Sequence, residues 1–299
     1  MAEGPPGGQA FWLKAADGVR LRAGLWQQGA KGTVLLFPGR TEYIEKYGRL
    51  ATDLAARGYS TFAIDWRGQG LADHLAPDPL IGHVNRFADF QKDVAALLKA
   101  AQALALPKPF HLMAHSMGGC IGLRALMNGL PVKSAVFSAP MWGIGLKPHL
   151  RPAAWVLTTA ARLAGRGSHY APGTGPVIYT RDAPFADNSL TTDPDMWAYM
   201  CRQVTTHAGL ALGGPSMTWV NEALWEMARL RRGPFPGLPT LIALGSRERV
   251  VNPAAIRMVK SRWPGATFLE LPGSEHEMIM ETLPIRTRFL TAAVALFEK

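Results

Sequence analysis

Apolar runs rich in β-branched and aromatic residues recur along the chain at 19–26 (VRLRAGLW), 33–39 (TVLLFPG), 59–65 (YSTFAID), 110–115 (FHLMAH), 134–140 (SAVFSAP), 239–246 (PTLIALGS) and 266–273 (ATFLELPG). Helical stretches separate most of them. The clearest covers 86–105, where Phe87, Phe90, Val94, Leu97, Leu98, Ala101 and Leu104 fall on one face at three- and four-residue spacing. Apolar strands alternating with helices predict a mostly parallel sheet covered on both faces, the α/β class. The alternation lapses between about Met141 and Met227, a segment rich in Pro, Gly and Trp that reads as short helices and loops. The pattern predicts a sheet domain made of 11–140 and 228–299, with 141–227 inserted as a mainly helical cap. The Gly/Pro-rich residues 1–10 are expected to be disordered.

A length of 299 residues with 48% hydrophobic content is enough for a large buried core, so a globular protein is expected. The first residues show no basic region followed by an apolar one, and no apolar run approaches the ~18 residues that span a bilayer. The most apolar cap segment, 153–164 (AAWVLTTAARLA), is shorter and contains Arg162. A cytoplasmic location is expected. The two cysteines, Cys120 and Cys201, match neither a disulfide framework nor a metal-ligand spacing, and both are expected to be small buried residues. Net charge is +10 and unevenly spread: from Val94 through Arg181 there are nine Lys and Arg residues and no Asp or Glu. Such a face attracts polyanions, so peripheral contact with an anionic membrane is one expectation and singly solvated surface charge the other. Neither a nucleic-acid partner nor an obligate protein partner is expected.

The candidate chemistry starts at FHLMAHSMGGC, 110–120, where a strand breaks into a helix at Ser116. A nucleophile elbow reads G-x-S-x-G and lifts the serine hydroxyl above the end of a parallel sheet. Here Ala114 takes the first glycine position, while Gly118 and Gly119 keep the helix start narrow. The alternative is that Ser116 only caps the helix that follows it. A nucleophilic serine needs a base and a carboxylate to orient that base, in the chain order serine, acid, histidine. Of eight histidines only His276 lies beyond the last long insertion, in a loop after the final expected strand. No aspartate follows Asp195, so the acid expected in the loop SRERVVNP is Glu248. Each residue taken alone reads as a surface group, yet each lies in the loop where the mechanism requires it. The oxyanion donors would be the backbone N–H groups of Met117 and Arg40. No metal-ligand cluster and no dinucleotide or phosphate fingerprint is visible, so no metal and no cofactor are expected.

These motifs resemble the α/β-hydrolase group that contains monoacylglycerol lipases and bacterial lysophospholipases. FPGRTEYIEKY is similar to that family's oxyanion loop, with Pro38 in place of its usual histidine and with Glu42 and Tyr47 matching. IDWRGQG (64–70), GSRERV and SEHEMIME are similar to its strand-end, acid and histidine loops. PGR, GHVNRF (82–87), AHSMGG, GGPSMTWV (213–220) and ERVV (248–251) resemble the lysophospholipase branch, where alanine before the elbow and glutamate as the acid also occur. The resemblance implies an α/β-hydrolase fold and a Ser116–His276–Glu248 esterase acting on a lipid or small ester through an acyl-enzyme. Met141, Trp142, Trp155, Trp197, Met217 and Trp219 either line an acyl tunnel, with Met141, Trp142 and Trp219 as substrate-binding residues, or form the cap's own core. Asp65 and Arg67 read as braces of a strand end. A carboxylesterase or peptidase on the same scaffold and a catalytically silent binding protein remain the other readings.

Overall fold

The computed structural model describes residues 2–146 and 149–299. Eight strands, β1 (Gln9–Lys14), β2 (Arg20–Trp26), β3 (Thr33–Phe37), β4 (Ser60–Asp65), β5 (Phe110–His115), β6 (Ser134–Ser138), β7 (Thr240–Gly245) and β8 (Ala266–Leu271), form one sheet in the order β1-β2-β4-β3-β5-β6-β7-β8. β1 and β2 run antiparallel to their neighbours; from β4 to β8 all pairings are parallel. Every residue of β3 to β7 is buried. Because successive strand side chains point to opposite faces, both faces of this central part are covered. The helices are α1 (Gly48–Ala55), α2 (Phe90–Ala103), α3 (Met117–Met127), α4 (Leu150–Leu163), α5 (Tyr179–Asp182), α6 (Pro194–Thr206), α7 (Met217–Leu230), α8 (Pro253–Ser261) and α9 (Leu283–Phe297).

The seven strands expected from the sequence fall within a few residues of β2 to β8, and α2 occupies the amphipathic stretch. The cap sits between β6 and β7 and consists of α4 to α7 with long loops. α7 closes it, but its buried face, including Ala223 and Met227, belongs to the main core, and the helix continues to Leu230.

The N-terminal residues depart from the expected disorder. β1 begins at Gln9, and the residues before it are tied down by polar contacts. Tyr199 donates to the carbonyl of Ala2 at 3.0 Å, Gln28 to that of Pro6 at 2.6 Å, and Arg49 pairs with Glu3 at 2.8 Å. These anchors lie far away in sequence, so local composition does not reveal them. Cys120 is fully buried, whereas Cys201 is only half-buried, its thiol donating to the carbonyl of Thr180. Of the nine cations in the acid-free stretch, Arg124, Arg162 and Arg181 pair with Glu226, Glu222 and Asp182, which breaks up the basic face; Lys147 lies outside the described residues. No helix among the described residues is long and apolar enough to cross a membrane.

The end of β4 is braced as the sequence suggested. Asp65 accepts from Arg22 (2.7 Å) and from the N–H groups of Ile44 (2.8 Å) and Leu71 (3.0 Å). Arg67 donates to Asp93 on α2 at 2.6 Å and to Asp17 in the β1–β2 turn at 2.8 Å. Removing one partner of such a buried pair strands the other charge, at a cost of about 3–5 kcal/mol. Arg67→Met is therefore expected to lower unfolding free energy by about that amount, read as a lower urea midpoint, whereas Lys92→Met, which removes an exposed partner of Asp17, should shift the midpoint far less.

Candidate active site

Ser116 stands between β5 and α3 with φ 49° and ψ −117°, a backbone conformation that L-residues rarely adopt and that costs on the order of 1–3 kcal/mol. Its side chain makes no capping hydrogen bond to the helix that follows, so the cap reading has no support in the geometry. The turn is held from outside: the Ser116 N–H donates to the carbonyl of Ser138 (3.0 Å), and its own carbonyl accepts from Met141 N–H (2.8 Å). Gly118 is required because a Cβ there would collide with the carbonyl oxygens of Phe37 and Pro38. Ala114 is tolerated in place of glycine because α3 presents Gly122 to it; a Cβ on Gly122 would lie 3.2 Å from that of Ala114.

His276 and Glu248 come from the loops after β8 and β7. The Nδ1 of His276 lies 2.7 Å from Oε2 of Glu248, and both side chains are buried. The other carboxylate oxygen accepts from the N–H groups of Val250 (2.7 Å) and Val251 (2.9 Å). Burial works to raise the Glu248 pKa, but the imidazole and these two N–H groups outweigh it and hold the carboxyl below its ordinary value. For His276 burial works downward, and the Glu248 carboxylate overcomes it, so the imidazole pKa is raised. The carboxylate accepts the Nδ1 proton and leaves Nε2 available. Ser116 and His276 line one cavity of about 460 Å³. No hydrogen bond joins their side chains in this structure; catalytic contacts in ligand-free sites are commonly long.

Below this pair lies a buried charge cluster. Lys46 places its ammonium between Glu42 (2.7 Å) and Glu277 (2.5 Å). Glu42 also accepts from the N–H of Gly39 and the hydroxyl of Tyr47, which fixes the loop after β3. The same loop is held by Gln69, which donates to the carbonyls of Gly39 (2.8 Å) and Glu42 (3.1 Å), and by the indole of Trp66 on the carbonyl of Pro38 (3.0 Å). The N–H groups of Arg40 and Met117 donate to no acceptor among the described residues. Burial drives His115, beside Glu42, down to about 3 and keeps it neutral, while burial works to raise Glu42, and the Lys46 ammonium and the Tyr47 hydroxyl outweigh it and hold that carboxyl below its ordinary value. Glu42, His115 and Glu277 are the one group of three described residues spaced to hold a metal ion. Their carboxylates already share the Lys46 ammonium, which supplies the positive charge a metal would bring.

The cap residues divide. Met141 and Trp219 line the cavity with Ser116. Trp142 does not. It is fully buried, its ring 5.2 Å from Phe137 and 6.1 Å from Trp263, and its indole N–H donates to the carbonyl of Gly119, so it backs the elbow helix from the core side. Trp155 packs on Trp225, and Trp197 on Tyr179 and Phe185. Lys46 and Glu277 are functional-site neighbours that the sequence does not single out, since the i,i+4 spacing of Glu42 and Lys46 is that of an ordinary solvated pair. GHVNRF and GGPSMTWV meet across the cap's return to the core: Gly82 N–H donates to Gly214 (3.0 Å), Ser216 N–H to Gly82 (2.9 Å), and His83 bonds the Ser216 hydroxyl at 2.8 Å.

A hydroxyl facing a cavity beside a carboxylate-backed imidazole, with free backbone N–H groups near it, is the arrangement in which a base can activate an alcohol for acyl transfer. Residues 28–283 match the family described as serine aminopeptidase, S33. Lysophospholipase L2 of Escherichia coli strain K12 is 33% identical over 293 residues, which cover 94% of this chain and 83% of that one. A probable lysophospholipase L2 of Haemophilus influenzae is 29% identical over 266 residues, covering 88% and 83%. A soluble variant of the monoglyceride lipase of Saccharomyces cerevisiae, solved with a substrate analogue, superposes with a TM-score of 0.75 at 19% identity, covering 100% of this chain and 98% of that one. The chain belongs to this family of α/β hydrolases and is a carboxylic ester hydrolase.

Proposed function

We propose that the protein hydrolyses the acyl ester of a lysophospholipid or monoacylglycerol through an acyl-enzyme on Ser116. The observation that carries this reading is the strained, uncapped Ser116 on the wall of the cavity that also receives the Glu248-backed His276. Ser116 Oγ attacks the ester carbonyl while His276 Nε2 takes its proton. The tetrahedral oxyanion forms within reach of the Arg40 and Met117 N–H groups. His276 then protonates the departing glycerol oxygen, and water, deprotonated by the same imidazole, releases the fatty acid. Glu248 keeps the imidazole in the tautomer that can do this and stabilises its charged form. The apolar wall around Met141, Ile144, Leu212 and Trp219 suits an acyl chain, and the names of the lysophospholipase L2 relatives support the lipid class.

Fluorophosphonate treatment followed by intact-mass analysis is expected to give a single adduct, absent in Ser116→Ala; an adduct that persists in that variant would remove Ser116 from the mechanism. The pH dependence tests Glu248. A raised imidazole pKa means His276 must lose its proton above the ordinary value of 6.5, so the acid limb of kcat/KM should lie above that pH. In Glu248→Gln the limb should move to lower pH while kcat drops by about 10³–10⁴, and an unmoved limb would show that Glu248 does not face the base. Trp219→Ala should reduce the preference for long over short acyl chains on a p-nitrophenyl ester series, with equal losses at all lengths counting against Trp219 as an acyl contact.

A further inference from the structure

The cavity wall carries one cation for which the hydrolytic steps have no use. The side chain of Arg40 runs from the loop after β3 along the wall to the cap's return segment, where one Nη2–H donates to the carbonyl of Gly213. The guanidinium carbon lies 5.5 Å from the ring centre of Trp219. Its Nε is buried with no hydrogen-bond partner. No carboxylate among the described residues lies within 4.0 Å of it. Tyr170, which acts on the guanidinium, donates its hydroxyl proton to Asp78 at 2.8 Å. The other cation on this wall, Lys46, already has carboxylate partners, sitting between Glu42 and Glu277. Burial without a counter-ion lowers the Arg40 pKa to about 10, so the group is still charged at neutral pH.

We infer that the Arg40 guanidinium is the headgroup site of this enzyme and takes the phosphate of a lysophospholipid. The inference rests on the ester-hydrolase reading above and narrows its substrate to the phosphate-bearing class. Geometry connects the two ends of Arg40. In the proposed mechanism its backbone N–H serves the reacting carbonyl oxygen, and its side chain ends one arginine's length away. In a lysophospholipid the phosphate is separated from the scissile ester by one glycerol unit, so substrate and residue bridge comparable spans. A guanidinium offers parallel N–H donors to phosphate oxygens, and pairing in a site with little water makes such bonds strong. The free donors and the absent carboxylate are what a phosphate requires; a neutral glycerol hydroxyl would leave the charge uncompensated. The Lys46 ammonium between Glu42 and Glu277 offsets one of their two negative charges, which leaves Arg40 as the group on this wall that attracts the phosphate.

The experiment compares kcat/KM of the full-length wild-type enzyme for lysophosphatidylethanolamine, lysophosphatidylcholine and monoacylglycerol with one common acyl chain, then repeats it in Arg40→Gln and Arg40→Lys. Both variants keep the backbone N–H. The expected result is that wild type favours the two phospholipids, and that Arg40→Gln lowers the phospholipid-to-glyceride ratio about 10- to 100-fold, mainly through KM, with partial recovery in Arg40→Lys. The comparison within wild type stands even where a variant fails to fold. An unchanged ratio in a folded Arg40→Gln, or wild-type preference for monoacylglycerol, overturns the headgroup assignment and leaves the ester-hydrolase reading intact. Wild-type inactivity on all three lipids, with small esters still cleaved, overturns the lipid reading and the Arg40 assignment with it.

Discussion

The Lys46 ammonium between Glu42 and Glu277 is the contact on which the site depends. Glu42 belongs to the loop after β3 and Glu277 to the loop after β8, and these strands are separated in the sheet by β5, β6 and β7. Three charged groups removed from water each cost several kcal/mol in desolvation, and only close pairing with further hydrogen bonds offsets that cost. The offset is present. Glu42 accepts from Gly39, Tyr47 and Lys46 at once, so its carboxylate is fully used. One cation thus locks the segment that offers Arg40 N–H to the segment that carries His276. Without it the Arg40 loop and the His276 loop would face each other with like charges.

Backbone strain at Ser116 is the second element that the surroundings must hold in place. A positive φ on a non-glycine residue persists only where neighbouring structure over-determines it. Here the N–H and carbonyl of Ser116 are bonded to Ser138 and Met141, the two sides of the turn after β6. Trp142, next in the chain, packs against Phe137 and Trp263 and caps the carbonyl of Gly119. The elbow is therefore held by the adjacent strand and by the first cap residues, not by the helix it opens.

Sequence pattern made the sheet legible because its central strands are buried on both faces and read as unbroken apolar runs. The edge strand β1 was not legible: its residues alternate between exposed and half-buried, and it follows a Gly/Pro-rich tail whose anchors are remote. Ser116, His276 and Glu248 could be singled out as candidates because an acyl-transfer mechanism asks for one such residue per strand-end loop, and the loops held few. Lys46 and Glu277 could not be found that way. In sequence they look like the solvated charges that surround most loops, and only their burial beneath the cavity distinguishes them. Trp142 shows the converse limit, since the side chains that line an acyl cavity and those that fill a core are of the same types.

The cap is coupled to catalysis through backbone hydrogen bonds as well as through the cavity wall. The N–H groups of His276 and Glu277 donate to the carbonyls of Ser189 (3.2 Å) and Leu190 (2.8 Å), and Thr191 donates to the carbonyl of Met280 (2.6 Å). Arg249, next to Glu248, pairs with Asp187 at 2.7 Å and with the carbonyl of Asn188 at 2.7 Å. The stretch 187–191 therefore holds both the base loop and the acid loop, while Gly213, at the other end of the cap, accepts from Arg40. A displacement of this cap large enough to admit a lipid from the side would have to break bonds that orient His276.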